Sequence, residues 1–319
     1  TIDSSGNVFK QTVPSGGGGG VSGDFYWISG SSGVYSMKAN NNTQIDASAD
    51  YAIAMGKGTV ASNYASTALG EETLASGRTS YAEGGRTLAS GDYSHAEGEY
   101  TTASGEAAHS QGNWSHASGN YSHAGGKGFD TDDKVIASGN ASFAHFQVTS
   151  ARGNIGAYAD NSAILGGIDH NISAGATNSA IIGGNGGTIN IGCDDSVIIG
   201  GINNTIDANV ERAIILGGTN INATTDDTIY GHKLVLSNTA TASVFITLSD
   251  ERLKEDIKEI TNETINVSWK KFKLKSDTSQ ERYGVIAQEL EKKHPEFVRT
   301  DNEGMKSVAY IDLLIAKIN

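Results

Sequence analysis

The chain has almost no proline, 2 residues in 319, and a single cysteine. Glycine is abundant at 41 residues, but without proline to match it a collagen triplet is excluded. One cysteine, Cys193, rules out an intrachain disulfide framework. It lies among repeated aliphatic runs and reads as a packing residue rather than a reactive thiol. Charged residues are scarce at 18%, too few for a highly charged disordered chain, and hydrophobic residues reach only 37%, low for an ordinary globular domain. No stretch approaches the ~20 apolar residues of a membrane span, so no membrane insertion is expected. No methionine or signal peptide opens the chain at Thr1, which reads as the start of a fragment or processed product. What these absences leave is a repeat architecture built from small residues.

The formal net charge of −13 is unevenly spread. Residues 249–319 hold 13 Lys+Arg against 14 Asp+Glu, leaving 10 against 22 in the first 248 residues. So acidic a shaft does not suit nucleic acid or anionic lipid, and no nucleic-acid partner is expected.

Residues 1–46 read as a lead-in, with a flexible run from Gly16 to Gly20. Residues 47–128 are periodic. Glycine recurs every seven residues from Gly70 to Gly126, and alanine does the same from Ala54 to Ala124, with Ser110 filling one place. A heptad usually signals a coiled coil, but each glycine would cost ~1 kcal/mol in a helix interior and no paired apolar seam exists. The local period is two. In Ser94-His95-Ala96-Glu97-Gly98, residues 94, 96 and 98 share one face, with His95 and Glu97 on the other. Glycine is expected to supply the turns. Two heptads make one 14-residue coil, so Tyr81, His95, His109 and His123 should stack ~4.8 Å apart. So little apolar surface in one coil predicts a homotrimer, with alanine faces covered by neighbouring copies.

The repeats Ser80-Tyr81-Ala82-Glu83-Gly84 and Ser94-His95-Ala96-Glu97-Gly98 resemble the head repeats of trimeric autotransporter adhesins, which implies a parallel β-roll. Similar repeats occur in phage and large-virus fibres. Residues 129–160 are expected to bridge to a second repeat at 161–223. There, glycine pairs starting at Gly166, Gly183, Gly200 and Gly217 recur every 17 residues. Each follows an apolar triplet, such as Ala180-Ile181-Ile182, and a second row falls at Ile172, Ile189 and Ile206. These aliphatics predict the most stable part of the shaft, at ~1.5–3 kcal/mol for each buried side chain. Residues 224–248 read as a neck.

From residue 249 lysine and glutamate rise. Leu253, Ile257 and Ile260 have helical spacing. Residues 267–269 and 271–274 alternate as strands, residues 282–286 read as a strand leading into a helix that His294-Pro295 ends, and Tyr310 to Ile318 suits a final helix. Three motifs stand in order: Ser249-Asp250-Glu251-Arg252-Leu253-Lys254, then Tyr283-Gly284-Val285-Ile286-Ala287-Gln288-Glu289, then Val308-Ala309-Tyr310 with Leu313. Residues 249–319 thus resemble the intramolecular chaperone auto-processing domain that ends phage tailspikes and tail fibres and occurs in a membrane-bound animal transcription factor. The resemblance implies a self-cleaving serine endopeptidase acting once, on its own chain, with no cofactor. Ser249 would be the nucleophile, Lys254 the general base and the cleavage site Leu248–Ser249. On a continuous helix the offset from Ser249 to Lys254 rotates ~140°, so the serine must precede any helix and Lys254 must fold back. Arg252 and Lys258 are candidates for lowering the lysine's pKa. Relatives often continue into a longer final helix beyond the position of Asn319.

Each residue also has a plainer reading. Ser249 or Asp250 suits a helix N-cap, and Lys254 a solvated lysine. Gln288 and Glu289 suit fold or assembly rather than catalysis. His95, His109 and His123 form a surface row imposed by the coil, with no metal required. Glu83 and Glu97 stack for the same reason, which argues against the paired acids of a polysaccharide-degrading site.

The fold class expected is therefore mainly β: a trimeric fibrous parallel β-roll with 14- and 17-residue repeats, and a small α+β chaperone domain. The function expected is a host-attachment tail fibre of a virion, assembled in the host cytoplasm. Its partners would be its own copies, other tail components and a host surface receptor. The alternative is a fragment of a bacterial surface adhesin with a non-cleaving trimerisation cap. An adhesin of that class calls for a secretion signal and a C-terminal membrane β-anchor, and neither is visible.

Overall fold

A fourteen-residue coil must reverse direction twice, and its two straight runs must each pair with the same runs of the coils before and after it. That is the architecture of the computed structural model, which describes residues 27–30, 32–39, 44–149, 155–231, 255, 257, 265–275, 277–301 and 304–318. Each coil has a long strand, such as Tyr81–Gly85, and a short one, such as Leu88–Ala89. The long strands stack into a fourteen-stranded sheet from Trp27–Ser29 to Ile229–Gly231, and the short ones into a twelve-stranded sheet from Asp46–Ala47 to Asn222–Ala223. Strand order in both sheets follows coil order. Within these two sheets every pairing is parallel except that of Trp27–Ser29 with Met37–Ala39. The protein is mainly β, a parallel solenoid followed by a small domain of strands and two helices.

Register is kept by equivalence of position. Tyr81 pairs with His95, His95 with His109, and His109 with His123. The spacing then changes while the rows persist. Ala124 pairs with Ala144 and Ala144 with Ile164, each 20 residues on, and Ile164 pairs with Ile181, 17 residues on. Residues 129–149 and 155–160 thus belong to longer coils within the same stack.

The core lies between the two sheets. In the 14-residue coils it is alanine from both strands, with Ala82, Ala89, Ala96 and Ala103 all 0% exposed. This corrects the expected reason for trimerisation: the alanine faces are already covered within one chain. In the longer coils the same rows become isoleucine, at 164, 181, 198 and 215 on one sheet and 172, 189 and 206 on the other, all buried. A larger coil encloses a wider section, which a branched side chain fills and a methyl group would not. Cys193 is buried in this core, and its thiol donates to the Asp207 carbonyl at 2.8 Å. Only the middle residue of each apolar triplet is fully buried. The third, at Leu165, Ile182, Ile199 and Leu216, is 41–46% exposed.

The turns correct a second expectation only in part, since Gly70, Gly84, Gly98, Gly112 and Gly126 do take positive φ, of +95° to +115°. In most coils a non-glycine residue takes the left-handed turn conformation: Tyr51, Ala65, Thr79, Tyr93, Ala107 and Tyr121 at one corner, Glu72, Arg86, Tyr100 and Trp114 at the other. Each costs on the order of 1 kcal/mol against glycine. Glycine is needed where coils touch. At Gly77, Gly91, Gly105 and Gly119 an added Cβ would come closer than 3.0 Å to a backbone carbonyl of the next coil. Gly98 is also not an inward residue as the alternation predicted. It has φ of +106°, outside the β region on which strand alternation rests, and is exposed.

Buried polar residues follow the same repeat. Ser80, Ser94 and Ser122 donate to the carbonyls of Gly77, Gly91 and Gly119 at 2.6–2.7 Å, closing the turn from within. Ser110 replaces a core alanine where Ser115 replaces the threonine of other coils, and their hydroxyls meet at 2.7 Å. His170 is buried, with its Nδ1 accepting from the Gly187 N–H at 3.0 Å.

Two stability predictions result. Gly91→Ala should destabilise the shaft by roughly 3 kcal/mol or more, because the methyl strikes backbone. Gly200→Ala, where φ is +69° and nothing lies within 4 Å, should cost only about 1 kcal/mol. Denaturant midpoints of the two variants check the ordering. The second prediction concerns pH. Burial is the largest cause lowering the pKa of His95, His116, His123 and His170 below 6.5. The unfolded chain then binds more protons, so this stability is present above about pH 6.5 and is lost as pH falls through that value. The denaturation midpoint should fall between about pH 7.5 and about pH 5, and less steeply in His170→Gln.

Candidate functional site

The described part of the C-terminal unit begins with residues that are not regular. Glu255 and Ile257 are not helical, contrary to the helix expected over Leu253, Ile257 and Ile260. Leu248, Ser249, Arg252, Lys254 and Lys258 lie outside the described residues.

Beyond them the domain is built from two small hairpins and two helices. Lys270–Leu274 pairs antiparallel with Asp277–Gly284. Residues 267–269 are not in this strand, contrary to expectation. Helix α1 spans Ala287–Glu291, and a 3-10 turn at Pro295–Phe297 follows where Pro295 was expected to end it. A second hairpin joins Val298–Thr300 to Lys306–Val308. Helix α2 spans Tyr310–Ile318, as its apolar run predicted.

The second and third sequence motifs meet in space. The Val285 N–H donates to the Tyr310 hydroxyl at 3.1 Å. Gly284 lies against the same hydroxyl, and an added Cβ there would overlap it. The Ala309 N–H donates to the Phe297 carbonyl at 2.9 Å, and the Leu313 N–H to Ala309 at 3.0 Å. Leu313, 0% exposed, closes a core with Val285, Ala287, Leu290, Phe297 and Val298. These motif positions are thus explained by packing: glycine makes room for the tyrosine, and the tyrosine hydroxyl accepts from an N–H that the strand leaves unpaired as it turns into α1.

Gln288 and Glu289 face outward from α1, and Glu289 pairs with Lys270 at 3.3 Å on the surface. Sequence reasoning missed the ties around this core. Lys306 reaches Glu291 at 2.7 Å and Thr300 at 3.0 Å, and Lys317 lies over the Trp269 ring at 5.4 Å. A cavity of ≈ 270 Å³ is lined by Val267, Val285, Ile286, Leu290, Lys293 and His294.

The same helix carries a second apolar stripe. Ile311, Leu314 and Ile315, at i, i+3 and i+4, are 44–57% exposed while Leu313 faces the core. Among the described residues no helix is long and apolar enough to cross a membrane.

In the solenoid, the stacked histidines lie where the repeat predicted, on the outer face of the long-strand sheet, with Glu83 and Glu97 in the adjacent row.

The chain thus divides into a parallel β-solenoid and, after it in sequence, an α+β unit. Residues 249–299 match the sequence model of a peptidase family described as the chaperone of endosialidase, so the chain carries a C-terminal chaperone domain of that kind. No curated protein matches the chain.

Tyr310→Phe should destabilise this domain by about 1–2 kcal/mol, because it leaves the Val285 N–H unpaired. Gly284→Ala should cost at least as much by pushing the ring aside. Thermal unfolding followed by circular dichroism of both variants tests this, and an unchanged Tyr310→Phe midpoint would show that the hydroxyl has no such role.

Proposed function

We propose that the chain is a host-attachment fibre segment of a virion, a homotrimer whose C-terminal domain guides assembly and then cuts itself off between Leu248 and Ser249. The observation that carries it is the combination of a β-solenoid shaft with a chaperone-of-endosialidase domain directly behind it. Two surfaces support association. One is the exposed aliphatic ladder of Leu165, Ile182, Ile199 and Leu216, and the other is the outer stripe of α2. A single chain leaves both in water, and threefold packing would remove them from it. The chaperone domain favours the virion reading over a bacterial adhesin. The partners are further copies of the chain, neighbouring tail components and a receptor on the host surface, and assembly takes place in the host cytoplasm.

The cut proceeds as an acyl shift from the Ser249 nitrogen to its hydroxyl, followed by hydrolysis. The Ser249 hydroxyl adds to the Leu248 carbonyl carbon while Lys254, as a neutral amine, takes the hydroxyl proton. The peptide C–N bond breaks, and Lys254 returns the proton to the departing Ser249 nitrogen. Water then hydrolyses the ester, leaving a Leu248 carboxylate, a Ser249 hydroxyl and a free amine. Peptide, water and base suffice, with no cofactor. Such a dyad is competent only when its lysine is held neutral, by burial or by neighbouring cations. Assembly-dependent cutting follows if the trimer supplies that environment.

Denaturing gels and intact mass of the expressed chain, beside Ser249→Ala and Lys254→Ala, test this. Wild type should split into residues 1–248 and 249–319, and both variants should stay whole as trimers. A wild-type chain that stays whole as a well-folded trimer makes the domain a non-cleaving trimerisation cap.

A further inference from the structure

The long-strand sheet carries two outward rows in register. One is Tyr81, His95, His109 and His123, and the other, two residues further along each strand, is Glu83, Glu97, Gln111 and Gly125. Each histidine leans toward the second-row side chain of the preceding coil. His95 Nε2 lies 3.8 Å from Glu83 Oε1, His109 Nε2 lies 3.3 Å from Glu97 Oε1, and His123 Nε2 lies 3.5 Å from the Gln111 amide nitrogen.

The first of these niches differs from the others. One ligand atom each from Glu83, His95 and Glu97 lie within 4.8 Å of one another. His95 Nε2 is buried and has no hydrogen-bond partner, since 3.8 Å is too long for one. The atoms around it are fixed from behind. The Tyr81 hydroxyl donates to Glu83 Oε2 at 3.1 Å, leaving Oε1 toward the histidine. Glu97 is held by the His109 contact, and the His95 ring is gripped between the Tyr81 edge at 5.0 Å and the His109 face at 4.8 Å.

We propose that Glu83, His95 and Glu97 form a divalent transition-metal site of the zinc type, one ion joining two adjacent coils. Ligands at ~2.1 Å from such an ion lie roughly 3–4 Å apart, the separation found between His95 and Glu83. One imidazole and two carboxylates are borderline-hard ligands that suit Zn²⁺, Co²⁺ or Ni²⁺. Two glutamates one coil apart repel, and a divalent ion cancels both charges. The outer face leaves the remaining coordination to water. The repeat confines the site to one coil: Gln111 removes the second carboxylate from the niche at His109, and neither carboxylate remains at His123. Tyr81 and His109 are positioning residues, acting through the carboxylates they hold. The proposal is independent of chain cutting and of trimer formation.

Titration of the metal-stripped full chain with Co²⁺ tests it, read by visible d–d absorption. The expected result is one equivalent per chain, with the band lost on adding Zn²⁺. His95→Gln and Glu97→Gln should weaken binding on the order of tenfold or more, Tyr81→Phe less, and His123→Gln not at all. Far-UV circular dichroism confirms that each variant is folded. Absence of a saturable band in the wild type, or a band unchanged in folded His95→Gln and Glu97→Gln, would overturn the site and leave only a histidine–glutamate ion pair.

Discussion

Stacked β-coils sit one strand spacing apart, ~4.8 Å, and at certain corners the backbones come closer still. That approach governs the shaft. At Gly77, Gly91, Gly105 and Gly119 the next coil's carbonyl occupies the place where a side chain would begin, so only glycine is accommodated. Once that distance is imposed, the strands of successive 14-residue coils must keep one register. Rows of identical side chains follow from it. The alanine rows are a core, the serine row closes the turns from within, and the tyrosine and histidine rows are ring stacks.

This constraint also explains what was legible in the residues and what was not. The period, the two-strand coil and the stacked rows could be read directly, because a repeat in sequence is a repeat in space. The role of glycine could not. Seven-residue spacing looks the same whether glycine makes the turn or makes way for a neighbour, and turn propensity favours the first. The structure separates them: left-handed corners are held by Tyr93, Arg86 and their equivalents, whose strain the neighbouring coils overrule. Inward and outward faces were likewise legible for Ala96 and His95, but not for Gly98, whose positive φ lies outside strand periodicity. The triplets misled in a similar way. Hydrophobicity marks Ile181 and Ile182 equally, yet only one can face inward on a strand.

The C-terminal domain shows the opposite balance. It has no repeat, so its elements were visible only where local signals were strong, as at Tyr310–Ile318. The motif around Gly284 was recognisable as a string, but its physical reason was not. The link between Gly284, Val285 and Tyr310 joins residues 25 positions apart, and no local pattern encodes it. Lys306, Glu291 and Thr300 form a similar long-range tie.

Core thickness separates the self-sufficient part of the shaft from the part that calls for company. In the 14-residue coils alanine is buried within each chain, so the single strand pair is closed, and its outer face is a polar ladder of histidine and glutamate. In the 17-residue coils isoleucine fills a wider interior, and a further aliphatic at each coil is left outside. A ladder of four such residues, spaced by one coil, is an apolar strip left exposed among the described residues. Exposed apolar area on this scale is unfavourable in water and favours association of like with like, because every copy carries the same strip at the same pitch. Specificity of register is then the difficulty, since a slip by one coil pairs the strip almost as well. On the proposed reading, a domain that holds three chains level while the strips meet would answer that difficulty, and would no longer be needed once the shaft had closed.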